Sequence, residues 1–139
     1  MHTHSNLLAF AGSLCLTIAL VLAWCLAGVR STAFMKAVFP NYQYLLKAHI
    51  DYLLMTGLLM TFFLLFTHFA VSPPLVVVGS MMIGSFMNPV GFLLLAMRPT
   101  LRQEPTSPFG IVMTGSFTLT TIGYGSAAWL VAQAAVHAS

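Results

Sequence analysis

Leu46-Lys47-Ala48-His49-Ile50-Asp51-Tyr52 opens the stretch that decides the fold, because a polar loop runs here into an apolar segment that continues to Val71. About 20 mostly apolar residues are enough for an α-helix to cross a membrane, and this segment is longer. The stretch also places an imidazole and a carboxylate two residues apart at the mouth of the apolar segment. Ionisable groups at membrane depth are costly and usually functional, so His49 and Asp51 are the first candidates for a site.

The rest of the chain has the same apolar character. Of its 139 residues, 59% are hydrophobic and only 5% are charged, with a mean hydropathy of +0.94. In soluble domains about a quarter of the residues are charged. The composition therefore excludes a soluble globular protein and indicates an integral membrane protein. The net charge of +3 then reports membrane orientation, and no nucleic-acid partner is expected.

Four apolar stretches, at about residues 7–28, 48–71, 75–97 and 109–135, predict an all-α protein. We expect a single domain over residues 1–139, a bundle of four transmembrane helices. The turn Ser72-Pro73-Pro74 makes the second and third helices an antiparallel hairpin. All Lys and Arg residues lie in or beside the loops 29–46 and 98–108. The positive-inside rule therefore predicts that these loops are cytoplasmic and that both termini lie outside.

This topology divides the histidines between the two sides of the membrane. His49 stands alone near the cytoplasmic side, and the others lie at the outer side, namely His2, His4, His68 and His137. About 28 Å of helix separates His49 from His68, so the two cannot bind one metal within a subunit. Any site on His49 must take its other contacts from other helices or from another protomer. The outer histidines and the nine methionines also allow a metal transporter, because imidazole and thioether groups suit copper.

The third apolar stretch contains Asn88 beside Pro89. A proline inside a helix leaves a backbone carbonyl unpaired, and an amide at membrane depth needs partners, so we expect Asn88 either to line a cavity or to join helices. In the fourth stretch, Thr120-Thr121-Ile122-Gly123-Tyr124-Gly125 is similar to a potassium-channel filter. Because Ser126 stands where such filters usually carry an acid, we interpret Tyr124 as a packing or cavity residue.

The residues alone leave two interpretations of His49. It is either an axial ligand of haem iron or an interfacial histidine solvated by head groups, with Asp51 stabilised by the positive end of the second helix. Tyr52 and Thr56 follow His49 by three and seven residues and share its helical face, where they would form a partly polar wall. We take Asn88, Tyr52 and Thr56 as candidate catalytic residues, and His49 with Asp51 as the candidate cofactor site, with His49 binding the metal.

Two short motifs, Ala48-His49-Ile50-Asp51 and Gly84-Ser85-Phe86-Met87-Asn88, carry a family resemblance. In a four-span chain of this size they resemble the small membrane isomerases represented by styrene oxide isomerase and the hydroxylaminobenzene mutases. The resemblance covers roughly residues 39–97. It implies a multi-pass protein of the bacterial inner membrane, a homotrimer with haem b near the subunit interfaces, and His49 as the axial ligand. Met55 stands six residues after the histidine, where the family typically has asparagine.

The function implied by the resemblance is a redox-neutral isomerisation, in which haem iron acts as a Lewis acid and a small hydrophobic epoxide rearranges to an aldehyde. The alternatives are a hydroxylaminobenzene mutase-type rearrangement, a non-catalytic or electron-transfer haem protein, and a metal or small-molecule transporter. The expected partners are membrane lipid, a small hydrophobic substrate and further copies of the chain.

Overall fold

The computed structural model describes residues 4–137 of the chain, and they form helices only. The helices are α1 (Ser5–Ser31), α2 (Ala33–Val38), α3 (Tyr42–His68), α4 (Leu75–Met97) and α5 (Pro108–His137). No strand occurs between residues 4 and 137, which confirms the all-α class. Among these helices, α1, α3 and α4 are long and apolar enough to cross a membrane. The helix α5 has 30 residues but is not one of these three; glycine, serine and threonine occupy much of it.

The long helices pack in series. The helix α3 lies between α1 and α4, and α4 lies between α3 and α5, whereas α3 and α5 touch only slightly. Within the described residues α1 and α5 share no extensive interface. The helices α3 and α5 therefore form the two walls of a groove whose floor is α4.

Small residues allow α1 to approach α3 closely. Ala11, Cys15 and Ala19 are fully buried and recur every four residues, so they share one face of α1. Small side chains at this spacing are typical of tight helix packing in membranes. One result is that the backbone of α1 is within reach of side chains on α3.

The helix α3 begins at Tyr42, six residues before the start expected from the apolar pattern. Asn41 caps it, because its Oδ1 accepts a hydrogen bond from the backbone N–H of Tyr44 at 3.4 Å. Asp51 consequently lies about 14 Å along the helix from its first residue. The favourable field of a helix N-terminus falls off within the first turn, so it does not stabilise the Asp51 carboxylate.

Seven of the Ser and Thr hydroxyl groups on the long helices bond to their own helix. Each donates a hydrogen bond of 2.8–2.9 Å to the carbonyl oxygen four residues earlier, as in Ser13, Thr17, Thr56, Thr67, Thr118, Thr120 and Thr121. Such bonds compete only weakly with the backbone hydrogen bonds of the helix. They leave these side chains without unpaired donors at membrane depth.

Candidate functional site

His49 lies half-buried on the side of α3 that faces α1. Its Nδ1 is 2.9 Å from the backbone carbonyl oxygen of Ala19. A carbonyl oxygen can only accept a hydrogen bond, so Nδ1 carries the proton and donates it. In the neutral imidazole the lone pair then resides on Nε2, the nitrogen that is left to bind a metal.

This hydrogen bond is the kind that orients metal-binding histidines. Such histidines almost always donate their second N–H to a carbonyl or carboxylate, which fixes the tautomer and the ring orientation. Within residues 4–137 no group of three or more His, Cys, Asp or Glu side chains could hold a metal ion. A single oriented imidazole is a donor that haem can use, because the macrocycle supplies the other nitrogen ligands of the iron.

His68 does not join His49. His68 ends α3 and packs edge-on against Phe69, with ring centroids 4.8 Å apart. Since α3 is continuous from Tyr42 to His68, His49 and His68 are separated along the helix as expected. His2 lies outside the described residues.

A cavity of about 750 Å³ occupies the groove between α3, α4 and α5. Its volume is in the range of small-molecule binding sites, roughly 300–1,000 Å³. Its lining is mostly apolar, with a few polar groups, and consists of Asp51, Met55, Leu58, Phe62, Asn88, Phe92, Phe117, Thr120, Thr121, Tyr124, Gly125 and Ala128. This is the composition expected of a site that binds a hydrophobic molecule and orients it by one or two polar contacts.

Asn88 both lines this cavity and joins two helices. Its Oδ1 accepts a hydrogen bond from the Ser116 hydroxyl at 2.6 Å, and its Nδ2 donates one to the Thr120 hydroxyl at 3.0 Å. Both partners are on α5. A second bond of 2.7 Å joins Ser85 of α4 to the Tyr124 hydroxyl. These three bonds, which we call the polar seam, join α4 to α5. They hold the Asn88 amide at the cavity wall in one orientation.

Tyr52 and Thr56 do not line the cavity. Tyr52 is 2% exposed, and its hydroxyl donates to the Phe86 carbonyl oxygen of α4 at 3.4 Å. The Thr56 hydroxyl donates to the Tyr52 carbonyl oxygen at 2.9 Å. The Tyr52 hydroxyl thus joins α3 to α4, whereas the Thr56 hydroxyl is satisfied within α3. Neither residue lines the cavity that contains Asn88.

His49 and Asp51 lie on different sides of α3. Two residues correspond to about 200° of rotation around a helix, and accordingly His49 contacts α1 while Asp51 lines the cavity with Asn88. One chain therefore brings Asp51 and Asn88 together. It leaves His49, Tyr52 and Thr56 outside the cavity.

Sequence reasoning named Tyr124 as a packing or cavity residue but missed the phenylalanines that line the cavity with it. Phe62, Phe92, Phe117 and Tyr124 reach it from three helices, and the rings of Phe62 and Tyr124 are 5.6 Å apart. Phenylalanine is ordinary in apolar helices and gives no signal by itself. On α5, however, the cavity residues recur every three or four positions, so a search for one helical face would have found them.

Comparison of the chain with family models, with curated proteins and with solved structures finds no match.

Proposed function

We propose that this protein is a multi-pass membrane protein that binds haem b through His49 and isomerises a small hydrophobic epoxide to an aldehyde, as styrene oxide isomerase does. The observation that carries the proposal is the 2.9 Å hydrogen bond between His49 Nδ1 and the Ala19 carbonyl. It fixes the orientation of the ring through Nδ1, so that in the neutral imidazole Nε2 carries no hydrogen and can bind iron. The motifs around His49 and Asn88 that resemble the isomerases point to the same function.

Haem iron, when bound, supplies a Lewis acid that draws electrons from an epoxide oxygen. The residues of this chain would bind the substrate, orient it and keep water away from it. Met55, Leu58 and Phe92 give the cavity apolar walls. Exclusion of water favours rearrangement over hydrolysis to a diol, because water is the competing nucleophile.

The Asn88 amide is the polar group best placed to orient a substrate. It is 6% exposed, held by two hydrogen bonds from α5 and located at the cavity wall. The family has an asparagine at the position of Met55, and both Met55 and Asn88 line this cavity. We propose that Asn88 provides the amide that the chain lacks at residue 55.

The active site would lie between protomers. Because His49 and the cavity are on different sides of α3, a site that uses both draws His49 from one protomer and the cavity from its neighbour. Large apolar side chains remain exposed for lipid or a neighbour to cover, among them Trp24 (81%), Val76 (77%) and Trp129 (65%). We propose a homotrimer whose protomers each cross the membrane four times, α5 included. Loops 29–46 and 98–108 would be cytoplasmic and both termini outside.

The absorption spectrum of the purified full chain tests the haem part. We expect a Soret band that His49→Ala abolishes. The matched variant His68→Ala should leave the band intact, because His68 lies at the far end of α3 and its ring packs against Phe69. A missing Soret band, or an unchanged band in His49→Ala, contradicts haem binding at His49. A six-coordinate bis-histidine spectrum would identify an electron-transfer protein instead.

The reaction is tested separately on the haem-loaded protein. Styrene oxide should give phenylacetaldehyde, and phenylhydroxylamine is offered in parallel, with 2-aminophenol as the product of the mutase-type alternative. Formation of 2-aminophenol alone would replace epoxide isomerisation with that alternative. Formation of neither product from haem-loaded protein refutes the proposed catalysis.

A further inference from the structure

We propose that the cavity between α3, α4 and α5 binds small organic cations, in which a positive nitrogen is attached to an aromatic or alkyl group. The recognition groups are the Asp51 carboxylate and the aromatic rings that line the same cavity. This inference does not rest on haem or on isomerisation, because it concerns the charge of the ligand and uses none of the chemistry at His49.

Asp51 lacks a cationic partner within residues 4–137. The nearest cation along α3 is Lys47, one turn earlier, and its Nζ lies 5.2 Å from the centre of the Tyr44 ring. Arg30 of α1 is bound to Tyr42, with a hydrogen bond of 2.9 Å to its hydroxyl and its guanidinium 5.3 Å from the ring centre. An unpaired carboxylate at membrane depth is costly, and a bound cation would offset that cost.

The aromatic residues supply the second part of the site. Phe62, Phe92, Phe117 and Tyr124 line the cavity together with Asp51. The face of an aromatic ring carries partial negative charge and attracts a cation within about 6 Å, most strongly where water is excluded. Rings from three helices and one carboxylate therefore provide a negative interior with apolar walls.

The same lining argues against an inorganic ion. Divalent cations such as Ca²⁺ need six or more oxygen ligands, and Asp51 is the only carboxylate in the cavity. The oxygens of Asn88, Thr120 and Thr121 are neutral and add no further negative charge, so half of the charge of a divalent cation would stay uncompensated. An organic cation needs only one counter-charge and apolar contact, which is what this cavity offers.

The test compares a cation with its neutral isostere. Radiolabelled phenyltrimethylammonium is bound to the purified full chain in detergent, with protein-free micelles as the blank, and is displaced by unlabelled phenyltrimethylammonium or by tert-butylbenzene. The two competitors have the same shape and differ in charge. We expect saturable binding, and we expect the neutral competitor to need at least about tenfold higher concentration. Equal displacement by both, or no saturable binding, overturns the proposal.

The two acidic residues of the chain provide a matched pair of variants. Asp51→Asn should weaken binding at least about tenfold, whereas Glu104→Gln, which removes the acid of the exposed loop, should leave it unchanged. Asp51→Glu keeps the charge and should retain most of the binding. If Asp51→Asn binds the cation with wild-type affinity, the inference is contradicted. Gel filtration checks that this variant is folded. The comparison of the cation with its neutral isostere uses the wild-type protein and does not depend on the variant.

Discussion

Replacing Gly84 by alanine should separate α4 from α5 beside the cavity. A Cβ at Gly84 would fall on the Thr120 hydroxyl and lie 2.9 Å from the Thr120 Cα. The hydroxyl could rotate away, but the Cα belongs to the backbone of α5, so the helix itself must move. Gly79 is the matched control, because it lies on the same helix and a Cβ there would have no atom within 4 Å.

The expected difference follows from two opposing terms. Overpacking costs about 1–3 kcal/mol, and the backbone contact at Thr120 places Gly84→Ala at the upper end of that range. Alanine is preferred over glycine in a helix by about 0.8–1 kcal/mol, which both variants gain. We therefore expect Gly84→Ala to lower the free energy of unfolding by about 2 kcal/mol and Gly79→Ala to raise it by up to about 1 kcal/mol.

The assay is denaturant unfolding of the purified protein in detergent, followed by circular dichroism. The two variants should differ by about 3 kcal/mol, with Gly84→Ala the less stable. If Gly84→Ala were as stable as Gly79→Ala, α4 and α5 would not be in close contact at Thr120. The description of the cavity floor would then be wrong, and with it the position of Asn88.

Three further substitutions test the polar contacts in the same unfolding assay or by hydrogen exchange. Tyr124→Phe removes the bond to Ser85 and should cost about 1 kcal/mol, as interhelical hydrogen bonds in membranes do; no loss would mean that the bond does not form. Asn88→Leu leaves two hydroxyls of α5 without their amide partner and should cost about 1–2 kcal/mol, and unchanged stability would contradict the seam between α4 and α5. Asn41→Ala removes the cap of α3 and should cost about 1 kcal/mol, with faster exchange of the Tyr44 amide; an unaltered exchange rate would place the start of the helix elsewhere.

The sequence was sufficient to predict the fold class because apolar stretches of spanning length have few other solutions in a membrane. The start of α3 was placed too late, since Lys47 and the tyrosines before it resemble loop residues when only hydropathy is considered. Asn41 carried the correct signal, because asparagine is one of the preferred residues at a helix N-cap. Capping residues therefore locate this helix better than its apolar pattern does.

For the candidate site, the sequence indicates which residues share a side of a helix but not what each side contacts. The spacing of His49 and Asp51 already implies different sides of α3, but it cannot tell which neighbour each side meets. That depends on the order in which the helices pack, and this order cannot be deduced from a single sequence. Asn88 was expected to need partners, and its partners on α5 follow from the same packing order.

The hydroxyl groups that bond to their own helix have a consequence for biosynthesis. Hydropathy scales count each threonine of α5 as a hydroxyl group that loses its hydrogen bonds to water. In this helix the hydroxyls of Thr118, Thr120 and Thr121 bond to their own backbone. For the membrane-spanning α5 proposed above, transfer from the translocon into lipid therefore costs less than such scales suggest. On the proposed topology, α4 has the opposite problem, since Asn88 finds its partners only on α5. We expect the two helices to leave the translocon together as a hairpin, and a chain that stops before Pro108 to be recognised by membrane quality control.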